Sequence, residues 1–157
     1  MKTLVVYYSR TKITEKVAQT ISENINCDIE EIIDLKDRSG AIGYLKAGKD
    51  AMKKVETDIS ISDKDPSRYD CVIIGTPVWA FTMAPAIRTY INQNKDRFKK
   101  VAFFCTEGGS GHEKTFKDME ELTKKKPITT LFLLTKEVSK EQHINKTQEF
   151  VEKIKES

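Results

Sequence analysis

The sequence predicts an α/β protein in which five parallel strands form one sheet covered by helices on both faces. Three observations predict it. Short apolar runs rich in β-branched and aromatic residues alternate along the chain with longer segments whose apolar residues repeat at helical spacing. That alternation calls for crossover connections, and crossovers join parallel strands that are buried on both sides. Three of the runs lead into polar or glycine-dense turns, at 9–14, 76–82 and 106–111, and the ends of parallel strands share one edge of a sheet.

The elements follow in order. Residues 4–8 read as a buried strand, and Ile13, Val17, Ile21 and Ile25 then mark one face of a helix. Residues 27–35 read as an edge strand, because Ile29, Ile32, Ile33 and Leu35 alternate only in part. Residues 36–64 are the least regular stretch. Ser39-Gly40 breaks the chain, and Ile42, Leu45, Lys49 and Met52 then form a helical stripe weakened by Gly43 and Gly48. Residues 57–62 suggest a short extended piece. Residues 69–75 read as a buried strand ending in glycine, with a loop over 76–82 behind it. Pro85 suits the first turn of the next helix, with Ile87, Tyr90 and Ile91 facing inward. A fourth strand covers 100–105. Ser110 and Glu113 have capping-box spacing and start a helix with Phe116, Met119 and Leu122 inside. A fifth strand covers 129–135. Ser139 with Gln142 forms a second capping box, ahead of a last helix striped by Ile144, Val151 and Ile154.

Composition bounds the function. A chain of 157 residues without a repeat or linker fits one domain over 1–157. With 38% hydrophobic and 32% charged residues it reads as a polar globular protein, and no apolar run is long enough to span a membrane. The N-terminus enters a strand directly, without the pattern of a secretory signal, so a cytoplasmic location is expected. Cys27, Cys71 and Cys105 form no C-x-x-C, and His112 and His143 complete no zinc pattern. Reduced, buried thiols and no metal site are expected, with His112 solvated. The net charge of +3 is carried by lysines spread among acids, which is no nucleic-acid footprint. Lys124, Lys125 and Lys126 read as the solvated end of a helix.

Each of the three turns carries chemistry. Between the first strand and helix, Ser9, Thr11 and Thr14 offer hydroxyls and Arg10 and Lys12 offer cations. They stand where the first helical N–H groups lack partners and the helix dipole is positive, which makes an anion trap suited to phosphate. The 76–82 turn carries Trp79 and Phe81, flat apolar faces for stacking. In the third turn Gly108, Gly109 and Gly111 remove side chains, so backbone groups can approach a polar ring edge. Gathered on one edge, the three suit a phosphorylated planar ring.

The motifs carry a family resemblance along nearly the whole chain. Tyr7-Tyr8-Ser9-Arg10-Thr11 with Thr14 and Ala18 resembles the phosphate loop of flavodoxins, whose usual core is Ser-x-Thr-Gly-Asn-Thr. Ile74-Gly75-Thr76-Pro77-Val78-Trp79 and Thr106-Glu107-Gly108-Gly109-Ser110-Gly111 resemble the loops on either side of the flavin ring. The resemblance implies a flavodoxin-like three-layer α/β/α fold with a five-stranded parallel sheet in the order 2-1-3-4-5. It also implies non-covalent FMN and one- or two-electron redox chemistry. By position, Ser9, Thr11 and Thr14, with the backbone N–H groups of Arg10, Thr11, Lys12, Ile13 and Thr14, are expected to hold the phosphate. Thr76, Pro77, Val78, Trp79, Ala80 and Phe81 are expected along the isoalloxazine, with Trp79 stacking. Thr106, Glu107, Gly108 and Gly109 are expected along the pyrimidine edge and the other side. The flavin carries the chemistry, so no catalytic residue of the chain is expected.

Three departures stand out. Lys12-Ile13 replaces the usual Gly-Asn, and Lys12 is expected to add a charge near the phosphate. Residues 107–111 hold no aromatic, which leaves one ring face open. The chain is net positive, whereas many flavodoxins are acidic and dock basic partners. The expected function is electron transfer between redox partner proteins. The alternatives are an FMN-dependent NAD(P)H oxidoreductase acting on quinones or related acceptors, and a flavin-free binding module on the same fold.

Overall fold

The computed structural model describes residues 1–157. Strand β1 (Thr3–Tyr7) is buried along its whole length and forms the centre of the first half of the fold. Helix α1 (Ile13–Ile25) leads to β2 (Asp28–Glu31), and α2 (Gly40–Met52) leads to β3 (Cys71–Trp79). A two-residue β4 (Thr82–Met83) precedes α3 (Pro85–Asn94), β5 (Lys100–Glu107) and α4 (His112–Thr123). Strand β6 (Thr130–Leu134), the short α5 (Thr135–Ser139) and α6 (Ile144–Lys155) complete the chain. The five long strands run parallel in the order β2-β1-β3-β5-β6, and β4 folds back antiparallel onto β3. Among the long strands this is the expected order, with β4 added as a sixth.

Both faces of the central strands β1, β3 and β5 are buried, and alternate residues enter one core or the other. Leu4, Val6, Val72, Ile74, Val101 and Phe103 face one side, packed with Ile87, Ile91 and Met119. Val5, Tyr7, Ile73, Ala102 and Phe104 face the other, packed with Val17, Ile21, Val151 and Ile154. Register sets Ile74 beside both Val6 and Phe103. Gly75 is required at its position, since a Cβ there would lie 1.9 Å from the Phe104 ring.

The structure corrects several boundaries. Strand β3 does not end at Gly75. It continues through Trp79 and turns back at Ala80-Phe81, so residues 76–79 are strand and only the hairpin tip is loop. Strand β5 likewise includes Thr106 and Glu107. Strand β2 stops at Glu31, and the expected extended piece at 57–62 makes a bridge to Asp34, with Leu35 N donating to Asp58 O at 2.9 Å. Helix α2 forms, yet its apolar stripe faces outward. Ile42, Leu45 and Met52 are 69%, 70% and 66% exposed, whereas Gly43, Ala47 and Ala51 are buried. The helix seats so close to the Arg38 backbone that a Cβ on Gly43 would lie 2.2 Å from the Arg38 carbonyl carbon.

Neither expected capping box forms. Helix α4 begins at His112, after Gly111, and the Glu107 carboxylate rather than Ser110 accepts the His112 N–H. Ser139 closes α5 by donating to Thr135 O at 2.9 Å, and α6 starts after His143. Val151 and Ile154 are buried as expected and Thr147 and Phe150 join them, whereas Ile144 is 38% exposed. The three cysteines are free; Cys71 and Cys105 are buried and Cys27 half-buried. Burial pushes Cys27 up to about 11 and Cys71 up to about 12, and raises Cys105 further. His112 is not solvated: its ring stacks on Phe132 at 3.7 Å.

Candidate cofactor site

The first turn is built at the end of β1. Tyr8 N donates to Gly75 O, which fixes the exit of β1 against β3. Lys12 then takes a left-handed conformation with φ 69° and α1 starts at Ile13, so the turn curls around the free N–H groups of the helix. The Ser9 hydroxyl oxygen is shielded from solvent and has no hydrogen-bond partner within the chain. Thr14 is buried, and its hydroxyl shares a 2.8 Å hydrogen bond with that of Thr106. That bond ties the first turn to the third. Thr11 and Lys12 are exposed and Ile13 half-buried.

The two cations of this turn are directed elsewhere. Arg10 Nε donates to Arg38 O at 2.9 Å and its Nη2 to Gly40 O at 3.1 Å, while the guanidinium lies over Tyr44. Lys12 Nζ pairs with Glu15 Oε2 at 2.7 Å. Hydroxyls and backbone N–H groups are left as the lining of the trap.

The second turn is the β3–β4 hairpin. Trp79 pairs with Thr82, and Ala80 and Phe81 between them have φ 48° and 61°, the left-handed geometry of a two-residue hairpin turn. The base of the hairpin is bolted down on both sides. Thr76 Oγ1 accepts from Ala84 N, and Thr82 Oγ1 donates to Asp118 Oδ2 at 2.6 Å while accepting from Arg88 Nη2 at 3.1 Å. Burial alone raises the Asp118 carboxyl, but the hydrogen bonds from Lys114 and Thr82 and the charges of Lys114 and Lys54 outweigh it and hold the group below its usual range. Trp79 meets Tyr8 edge-on, with centroids 5.5 Å apart and planes at 88°. Val78 and Pro77 are half-buried, and Phe81 is 57% exposed at the tip.

The third turn follows β5. Glu107 is buried, with its carboxylate spanning the loop to accept from His112 N and to bond His112 Nδ1, both at 2.9 Å. Gly108 and Gly109 are exposed, and a Cβ on either would meet nothing within 4 Å, so space lies open above them. Gly111 is different. It sits at φ 119°, and a Cβ there would lie 2.8 Å from Val78 Cγ1 and 3.2 Å from Phe81 Cα. The second and third turns therefore abut across that glycine.

One group was not anticipated. Arg38 is buried between Asp34 and Asp50, with Nε to Asp34 Oδ2 at 2.5 Å and Nη1 to Asp50 Oδ2 at 3.0 Å. Its guanidinium carbon lies 5.8 Å from the Trp79 ring centre, and its Nη2 has no partner. Residues 34–38 are not helical, so the spacing of Asp34 and Arg38 carried no readable signal for the pair. A cleft of about 550 Å³ runs from Tyr8, Ser9, Arg10 and Thr11 to Asp34, Arg38 and Ser39. An apolar cavity of about 350 Å³ lies on the α2 side of Trp79.

The arrangement is thus a hydroxyl-lined turn at a helix N-terminus, an indole and an open glycine backbone on one sheet edge, linked by Thr14–Thr106, Tyr8–Trp79 and the Gly111 contact. Comparison with solved structures finds the same architecture repeatedly. A flavoprotein of Lactobacillus acidophilus NCFM, solved in complex with FMN, is 28% identical, with 88% of this chain and 97% of that one covered and a TM-score of 0.74. Megasphaera elsdenii flavodoxin is 17% identical over 95% and 97% of the two chains, with a TM-score of 0.60. Flavodoxin 2 of Bacillus cereus is 16% identical over 99% of each, with a TM-score of 0.59. No curated protein matches the sequence. The family model described as Flavodoxin matches residues 2–154, and the chain belongs to the flavodoxin family.

Proposed function

We propose that this protein binds FMN non-covalently and passes electrons between redox partners. The observation that carries this reading is the Ser9 hydroxyl, buried without a partner at the left-handed entry to α1. A buried hydroxyl left unmade is costly, and a phosphate at this helix N-terminus would satisfy it. Ser9, Thr11 and the N–H groups of residues 10–14 hold the phosphate in this reading. Thr14 is fixed from below by Thr106 and shapes the floor of the trap. Trp79 offers its face to the isoalloxazine, its orientation set by Tyr8 and the anchored hairpin. Gly108 and Gly109 leave room for the pyrimidine edge to reach backbone groups. When bound, FMN supplies the one- and two-electron chemistry; the chain's residues place it and exclude water.

The test is spectroscopic. Purified protein, or apoprotein titrated with FMN, is expected to show a flavin absorption band that bleaches on stepwise reduction. A colourless preparation that ignores added FMN refutes the reading and favours a flavin-free binding module.

A second reading has its own support. Residues 108–111 carry no aromatic, so that turn supplies no aromatic cover for the ring face opposite Trp79, which in this reading a nicotinamide or quinone can approach. That favours an FMN-dependent NAD(P)H oxidoreductase. Steady-state turnover of NADH or NADPH with a quinone separates the two, because a carrier is nearly inert without a partner reductase.

A further inference from the structure

Helix α2 presents an outward face that the cofactor site does not use. Tyr44, Leu45 and Met52 are 63%, 70% and 66% exposed, and they line the cavity of about 350 Å³ whose opposite wall is Val78, Trp79 and Ala80. At about 100° per residue, Lys49, Lys53 and Lys46 follow this apolar strip around the helix. All three are exposed and none is ion-paired, while the only acid of α2, Asp50, is occupied by Lys36 and Arg38. Beside Trp79 the surface is therefore an apolar recess flanked by a basic ridge.

We propose that this recess and ridge are the docking surface for an acidic protein redox partner, which seats a protruding apolar side chain beside Trp79. The proposal rests on the electron-transfer reading and names the partner's chemistry. Charge complementarity selects an acidic surface, and the ridge steers its approach. The recess selects the anchor, because apolar groups lining a concavity take up a knob, whereas a lipid surface takes up an apolar crest. A second copy of this chain fits poorly, since a two-fold pairing would bring two basic ridges together. One face of a helix is a small contact, of the kind found in weak electron-transfer encounters.

The experiment is isothermal titration of the FMN-loaded protein, and in parallel of the apoprotein, with two probe proteins. One is an acidic plant-type [2Fe–2S] ferredoxin and the other is basic mitochondrial cytochrome c. The wild type is expected to bind ferredoxin and not cytochrome c, with affinity falling about tenfold or more between ~20 and ~300 mM salt. The triple variant K46E/K49E/K53E is expected to lose ferredoxin and gain cytochrome c. The double variant L45S/M52S keeps the charge and is expected to weaken ferredoxin about fivefold through loss of the apolar contact. All five positions are exposed, and circular dichroism checks that the variants fold. Absence of ferredoxin binding, equal binding of both probes, or titrations unchanged by charge reversal each overturn the proposal. So does binding to phosphatidylserine vesicles in place of ferredoxin, or self-association lost in L45S/M52S. A chain that takes no FMN defeats the electron-transfer reading instead, and the apoprotein titration still reports on the surface.

Discussion

Replacing Gly111 by alanine tests how the two ring-flanking turns depend on each other. The residue sits at φ 119°, where a side chain is strained, and its new Cβ would stand 2.8 Å from Val78 Cγ1 and 3.2 Å from Phe81 Cα. Backbone strain of this kind costs about 1–3 kcal/mol. Displacing the hairpin to relieve the contact costs about 1–3 kcal/mol more. The sum is about 2–6 kcal/mol, or a fall in Tm of roughly 4–24 °C for a chain of this size. Gly108→Ala is the matched control. Its Cβ meets nothing within 4 Å of the chain, so apoprotein stability is expected to change by less than about 0.5 kcal/mol. If the flavin edge lies against Gly108, G108A weakens FMN while leaving the apoprotein Tm alone, whereas G111A lowers both. Thermal melts followed by circular dichroism, with FMN titration of each variant, measure the two effects. A G111A apoprotein melting within 1–2 °C of wild type (roughly 0.5 kcal/mol) would refute the reasoning.

Arg38→Met leaves the buried Asp34 carboxylate without its partner, and a loss of about 3–5 kcal/mol is expected in urea denaturation; under 1 kcal/mol would mean that the pair is not desolvated. His143 is buried, and burial, followed by the nearby Lys16 charge, depresses its protonation in the folded state. The unfolded chain therefore binds more protons below the ordinary imidazole range. Stability is full above that range and is lost as pH falls through the folded-state value. The urea midpoint is expected to drop between pH 7.5 and 5, and H143Q should flatten that part of the profile; an equally steep profile in H143Q would place the effect elsewhere.

The sheet was legible because its strands are apolar runs with nothing to compete, as in Val72-Ile73-Ile74. The meeting of the three turns was legible in outline because turns after parallel strands share an edge. The hairpin was not, since Thr76 and Pro77 have loop-like side chains and Ala80-Phe81 lacks the Asn-Gly or Asp-Gly that marks such turns. The facing of α2 was missed because apolar periodicity assumes that large residues pack inward. Here the inward face is the small trio Gly43, Ala47 and Ala51, with Gly43 against the Arg38 backbone. For Glu107, nothing local in the sequence reveals that its carboxylate bonds the first residue of α4.

Trp79 is the chain's one tryptophan, set edge-on to Tyr8 and close to the Arg38 guanidinium. Its intrinsic fluorescence is therefore a single-address signal. Quenching or a colour shift in the emission reports what happens at this one corner, and distant fraying of β6 or α6 stays dark to it. Nature has already installed the label that a spectroscopist would otherwise have to engineer.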